Sequence, residues 1–179
     1  GLESEGDVVA QVFKTMHAQH MGKMSYARVW RGSLKDGETL NDQRVSGINL
    51  LLGAKLEKQS SASSGQVVAL GRMDSVKTGD ILTPSGQTPD GALTWPAPLA
   101  SVYAMAISAA NRNDEVKLSS ALQRLAEEDT SVTIAHNAVM GELILSGQGD
   151  TQIMVLGERL NNRFNLNVST KQPSVPYKE

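Results

Sequence analysis

The sequence predicts two domains in tandem, a small closed β-barrel and then an α+β domain of order β-α-β-β-α-β. Three observations predict it. Up to Leu82, short β-like runs recur with turn signals between them and no convincing helix. The run Thr83-Pro84-Ser85-Gly86-Gln87-Thr88-Pro89-Asp90-Gly91 is rich in turn formers, and Pro96 and Pro98 follow it. Beyond them a helical period appears, with Leu118, Leu122 and Leu125 at i, i+4 and i+7 and Ala121 beside them.

The expected barrel strands are residues 8–14, 25–30, 32–34, 44–52, 56–58, 66–70 and 81–82. Lys35-Asp36-Gly37 is read as a hairpin turn, because Asp-Gly suits the left-handed backbone that tight turns need. In the second domain an apolar strand is expected over 99–107. A helix follows, capped by Asn113 and running to about Asp129. Residues 131–137 and 142–146 make a hairpin through Met140-Gly141. A second helix over 150–165 carries Ile153, Leu156, Leu160 and Phe164 on one face, and 166–169 closes the sheet. That order is the ferredoxin-like split βαβ arrangement.

Composition narrows the function classes. The chain has 179 residues, 40% hydrophobic but only 4% aromatic, so its cores are expected to be aliphatic. It has no cysteine, which removes disulfides and thiolate metal sites and fits a reducing cytoplasm. No run approaches the roughly 18–20 apolar residues of a membrane span. The net charge is −2, with 10 basic and 10 acidic residues before Trp95 and 7 and 9 from it onward. Neither half is the polycation that a free-standing nucleic-acid binder uses.

Several motifs occur together in a recognisable order. Residues 119–134 read Ser-Ser-Ala-Leu-Gln-Arg-Leu-Ala-Glu-Glu-Asp-Thr-Ser-Val-Thr-Ile. Val12-Phe13-Lys14-Thr15 is followed by Gly22-Lys23 and by Ala27-Arg28-Val29-Trp30-Arg31-Gly32-Ser33-Leu34. Ser64-Gly65-Gln66-Val67-Val68-Ala69-Leu70, Thr78-Gly79-Asp80-Ile81-Leu82, Gly141 to Gly149 and Lys171 to Glu179 complete the set. In this order they resemble the second and third domains of elongation factor G and its relatives, the translational GTPases. One position departs. Where that family reads Gly-Glu-Leu-His-Leu-Glu, this chain has Gly149-Asp150-Thr151-Gln152-Ile153-Met154, with Gln152 at the histidine position. The resemblance is therefore to a divergent, elongation factor G-like branch.

The resemblance implies a barrel of the translation-factor domain II type over 1–92, a ferredoxin-like domain III over 93–172, and over 173–179 the start of a linker to a fourth domain. It implies a middle fragment of a cytoplasmic, ribosome-binding translational GTPase acting in translocation or a related ribosome-reset step. The expected partners are small-subunit ribosomal RNA and protein, and the parent's own GTPase and C-terminal domains; no membrane and no DNA are expected. The fragment is expected to hold no cofactor and to be no enzyme itself, with GTP and Mg in the parent's GTPase domain. No Gly-x-x-x-x-Gly-Lys-Ser/Thr phosphate loop occurs, since Gly22-Lys23 is followed by Met24 and preceded five residues back by His17. The alternatives are a stand-alone RNA- or ribosome-binding module, or a ribosome-protection or recycling factor.

Candidate contact residues each carry two readings. Lys14, Lys23, Arg28, Arg31 and Lys35 in the first hairpin region read by pattern as an ordinary solvated face balanced by Asp36 and Glu38; the resemblance turns them towards ribosomal RNA. Gly147 and Gly149 either form a turn or let backbone approach a partner at the second helix's N-terminus. Arg159 and Arg163 either contact protein or RNA or stay solvated. Trp30 and Trp95 read as stacking platforms for bases, or as Trp30 packed on the barrel and Trp95 over the domain junction. His17 and His20 form a His-x-x-His pair that for zinc needs a further ligand, with only His136 or scattered carboxylates to supply it. The β-α-β-β-α-β order is shared with RNA-recognition motifs, but residues 142–146 lack the exposed aromatics these use, and only Tyr103 lies on the first strand.

Overall fold

Residues 5–174 are described by the computed structural model. The last part of the motif at Lys171 to Glu179, and most of the linker expected over 173–179, lie outside them. The chain forms two compact units that divide after Pro96.

In the first unit the strands are β1 (Val9–Ala18), β2 (Gly22–Arg31), β3 (Ser33–Lys35), β4 (Thr39–Leu40), β5 (Gln43–Arg44), β6 (Ile48–Leu52), β7 (Lys55–Gln59), β8 (Ser61–Ser63), β9 (Val67–Gly71) and β10 (Ile81–Leu82). Six of them form an antiparallel sheet in the order β10-β1-β2-β9-β6-β7. β3 pairs only with β8, and β4 only with β5. The closed barrel expected from the sequence is therefore not formed: among the described strands β7 and β10 end the sheet without pairing to each other. The chain turns too often for one continuous ladder, with left-handed backbone at Gly32, Gly37, Asn41, Asp42 and Gly47. All the strand layers nevertheless share one aliphatic core that includes Val12, Val29, Leu34, Leu40, Ile48, Leu70 and Leu82.

Two local expectations change for the same reason. The run 44–52 is broken around Gly47, whose φ of 86° takes the chain out of the extended backbone of a regular strand. Asp36-Gly37 joins β3 to β4 without pairing them; the tight hairpin is one step later, where Asn41 and Asp42 (φ 47° and 60°) connect the paired Leu40 and Gln43.

In the second unit β11 (Tyr103–Ala109) leads through a 3₁₀ turn (Arg112–Asp114) into α1 (Glu115–Glu128). Then come β12 (Thr133–Asn137), β13 (Glu142–Gly147), α2 (Asp150–Phe164) and β14 (Val168–Lys171). The sheet is antiparallel with order β12-β13-β11-β14. The first strand starts later than expected, because residues 97–102 form no ladder beyond the single bond from the Val102 amide to the Gly147 carbonyl, and Leu99 and Val102 are exposed. The cap also moves: Asn111 Oδ1, not Asn113, accepts the Asn113 amide at 3.1 Å and starts the 3₁₀ turn. α2 stops at Asn165, whose φ of 51° lets the Leu166 amide reach back to the Leu160 carbonyl. Leu118, Leu122 and Leu125 from α1 meet Leu156 and Leu160 from α2 over Ile107 and Leu145 of the sheet.

Strand alternation puts Tyr103, Met105 and Ile107 on the helix side, where Tyr103 joins the core margin. The opposite face presents Ala104, Ala106 and Ser108 of β11 beside Ser146, Ile144 and Glu142 of β13. Among the described residues these central strands place no aromatic on that face, so the sheet offers none of the stacking rings of an RNA-recognition motif.

Candidate functional site

Two regions carry the residues singled out in the sequence. The first is the β1–β2 hairpin. On β2, Ala27 and Val29 point into the core while Arg28 and Trp30 point out. Arg28 lies over the Trp30 ring, its Cζ 5.0 Å from the centroid. Lys23 Nζ donates to the Asp74 carbonyl at 2.8 Å, and Arg31 Nε donates to the Asp7 carbonyl at 2.9 Å. Lys14 is exposed on β1, and Lys35 is exposed on β3, in a separate ribbon. Lys23 and Arg31 stand eight residues apart on one strand, roughly 26 Å at the usual strand rise. The five cations thus form no single patch; Arg28 and Lys14 are the pair held on the outer middle of the hairpin.

The second region is the loop before α2. Gly147 ends β13, and a side chain there would collide with Gln152 Oε1. That oxygen accepts the Gln148 amide at 2.7 Å. The Gln152 amide nitrogen donates to Ser131 Oγ at 2.6 Å and to Asp129 Oδ2 at 3.3 Å. Asp129 Oδ1 in turn accepts the Ser131 amide at 3.0 Å and its hydroxyl at 2.6 Å. At the other end the Gln148 side chain donates to the Ala100 carbonyl at 3.0 Å, and the Val102 amide donates to the Gly147 carbonyl at 3.0 Å. A continuous run of hydrogen bonds thus joins the end of α1, the start of α2, the 147–149 loop and the segment leading into β11. Gln152 is its hub. The sequence marked Gln152 only as a departure from a motif; its long amide, acceptor at one end and donor at the other, is the signal that foretells a bridging role.

Gly149 precedes Asp150 in extended backbone with φ 176°, which any residue adopts. Arg159 is exposed on α2. Arg163, one turn on, is engaged within the unit: it grips Glu128 of α1 with two bonds of 2.7 and 2.9 Å, and this pairing raises its already high pKa. The acidic end of α1 therefore holds two partners, Glu128 with Arg163 and Asp129 with Gln152. A third cluster lies across the sheet, where the Glu142 carboxylate takes Lys171 Nζ at 2.7 Å and the Ser174 hydroxyl and amide at 2.7 and 3.1 Å. Lys171 and then Ser174 lower the Glu142 pKa to about 2. Among the described residues no group of three or more His, Asp or Glu is placed to hold a metal ion. His17 lies on β1 and His20 in the turn after it.

Comparison with known proteins places these features. Residues 7–85 match the family described as elongation factor G domain 2, and residues 97–172 the family described as elongation factor G, domain III. An elongation factor G-like protein of Synechocystis sp. is 41% identical over 99% of this chain, which covers 26% of that protein. Elongation factor G of Petrotoga mobilis is 33% identical over 98% of the chain, which again covers 26% of it. A crystal structure of a Thermus thermophilus protein matches 96% of this chain and 26% of its own with a TM-score of 0.79 at 27% identity. The chain therefore spans about a quarter of the length of the relatives it matches.

The antiparallel β-unit and the β-α-β-β-α-β unit that follows it thus match two successive elongation factor G domains, in that order. The chain belongs to the elongation factor G family and carries its domains II and III. GTP and Mg belong to the family's G domain, which the matched residues do not include. No helix among the described residues is long and apolar enough to cross a membrane.

Proposed function

We propose that the protein carrying this chain is an elongation factor G-like translational GTPase of the cytoplasm. In this reading residues 1–92 dock on small-subunit ribosomal RNA and protein. Residues 93–172, a ferredoxin-like domain, relay between the nucleotide site and the distal domains, and 173–179 begin the linker to a fourth. The catalytic residues then belong to the parent's GTPase domain, and this segment supplies docking and relay. The observation that carries the reading is the greater identity to the relative named elongation factor G-like than to one named elongation factor G, over nearly the whole chain. The hydrogen-bonded run through Gln152 supports the relay, because such a relay needs contacts that hold one arrangement firmly and can be exchanged for another. The open face of the second sheet lacks the aromatic rings of an RNA-recognition motif, which disfavours that form of stand-alone RNA-binding module.

The test is GTP turnover by the intact protein with and without ribosomes. Strong stimulation by ribosomes, reduced by Arg28→Ala, is the expected result. Turnover indifferent to ribosomes, together with no co-sedimentation, refutes the reading. A translocation assay against a subunit-splitting assay then separates a translocase from a recycling factor.

A further inference from the structure

Both tryptophans of the chain and one of its two phenylalanines converge on the outer face of the first unit's hairpin. The register of β1 against β2 slips between Val12 and Lys14, so that Phe13 has no cross-strand partner. Strict alternation after the buried Val12 would turn Lys14 into the core. The bulge instead leaves Phe13 and Lys14 both outside, and Thr15 goes in. Bulges are used to re-aim side chains in this way. Phe13, Arg28, Trp30, Val67, Trp95 and Gln11 line one hollow of about 310 Å³.

Packing does not account for these rings. Phe13 and Trp30 are each 37% exposed and Trp95 is 38% exposed, although the unit has a fully buried aliphatic core a strand's thickness away. Trp95 is nevertheless held against the unit. Trp95 sits on Gly79, where a Cβ would lie 2.7 Å from its ring, and the Gly79 amide donates to the Val12 carbonyl at 2.7 Å. Gln11, itself buried, donates to the Leu93 carbonyl at 3.1 Å and holds the segment that carries Trp95. Arg28 is the one charged residue lining the hollow among the described residues, and it lies over Trp30. The hollow therefore combines flat, apolar walls with a single positive charge, and Lys14 stands beside Phe13.

That complementarity selects an occupant with a planar apolar body and a negative charge attached to it. The geometry points to an unpaired base of RNA in this hollow, stacked on the aromatic walls, with its phosphate against Arg28. Arginine planes and aromatic faces are the surfaces on which unpaired bases stack. A duplex does not fit, because its base faces are already covered by their neighbours. The inference deepens the docking reading and rests on it, naming single-stranded ribosomal RNA as the element that the first unit touches.

The two tryptophans make the test direct, since both line the hollow and no other tryptophan dilutes the signal. A short unstructured oligoribonucleotide is titrated into the 179-residue chain and the tryptophan emission is followed. Saturable quenching is expected, weakened about tenfold by Trp30→Leu, in line with loss of one stacked base. Arg28→Gln should weaken it as well and flatten its salt dependence, while Trp30→Phe retains most of the affinity. Arg28 is exposed, so its variant stays informative if Trp30→Leu does not fold. No quenching, equal binding of duplex RNA, equal effect of inorganic phosphate, or preference for an acidic peptide overturns the inference. Co-sedimentation of the intact protein with ribosomes separates the two readings. If ribosomes bind and the oligonucleotide does not, this inference falls alone; if ribosomes do not bind, the docking reading falls.

Discussion

Replacing Gly147 by alanine tests whether Gln152 is the hub of the second unit. The backbone at Gly147 is not in the left-handed region, so alanine can adopt it. The added Cβ meets the tip of one flexible side chain, Gln152 Oε1, which can swing away. The cost is then not steric. It is the loss of the bond from the Gln148 amide at 2.7 Å, the bond to Ser131 Oγ at 2.6 Å and the longer one to Asp129 at 3.3 Å. At about 1 kcal/mol per bond this amounts to about 2–3 kcal/mol. Removing a glycine from the unfolded chain offsets about 0.5 kcal/mol. The net expectation is about 2 kcal/mol, or roughly 10 °C in Tm for a unit of this size.

The assay has a built-in control. Both α-helices lie in the second unit, so helical circular dichroism follows its melting, while both tryptophans report the first. Only the helical transition should move. In a Gln152→Ala background, where the same bonds are already gone, Gly147→Ala should change stability by less than about 0.5 kcal/mol. Equal destabilisation in both backgrounds refutes the reasoning.

The other predictions are independent. Glu142 has its pKa lowered to about 2 by Lys171 and Ser174, against 4.5 ordinarily. Its contribution to stability is therefore complete above about pH 4.5 and is lost as the pH falls towards 2. Carboxyl NMR should show the low titration directly, Glu142→Gln should remove this part of the acid dependence, and a titration near 4.5 would sink the assignment. Leu160→Ala, at a fully buried side chain between the two helices, should cost about 3–4 kcal/mol and move only the helical transition in urea; a shift below about 1 kcal/mol would deny it a core role. Gly79→Ala combines a φ of 96° with the clash on Trp95. It should destabilise the first unit by about 1–3 kcal/mol and red-shift its emission; unchanged emission would show that Trp95 is not held there.

Much of the second unit was legible because its helices advertise themselves. Leu118, Leu122 and Leu125 share a face under any packing, and Ile153, Leu156 and Leu160 do the same, so a 3.6-residue period names the buried stripe without a partner in view. The hairpin at Met140-Gly141 and the strand at Ile81–Leu82 also lay where turn chemistry and alternation put them. Strand ends were less legible. Leu99 and Val102 are as apolar as any strand residue, yet β11 begins at Tyr103, because a strand exists only where another offers it a ladder. Asn111 and Asn113 are the same residue type two positions apart; which one caps depends on where the chain leaves β11. The very short β4 and β8 carry too few residues for any pattern to show.

The sequence by itself determined the order of elements in the second unit, the aliphatic character of both cores and the family to which the chain belongs. Those follow from local chemistry: turn formers, periodicity, and motifs whose residues adjoin one another along the chain. Tertiary structure alone decided that the first unit's sheet stays open, since closure depends on how far successive turns carry the strands around the core. It alone separated Lys23 from Arg31 and engaged Arg163 with Glu128, and it alone brought Trp30 and Trp95 to one hollow across 65 positions of chain. It also made Gln152 a hub linking Asp129, Ser131 and Gln148. Contacts between residues distant in sequence leave no mark in any short window, because each partner is chosen by the fold that delivers the other.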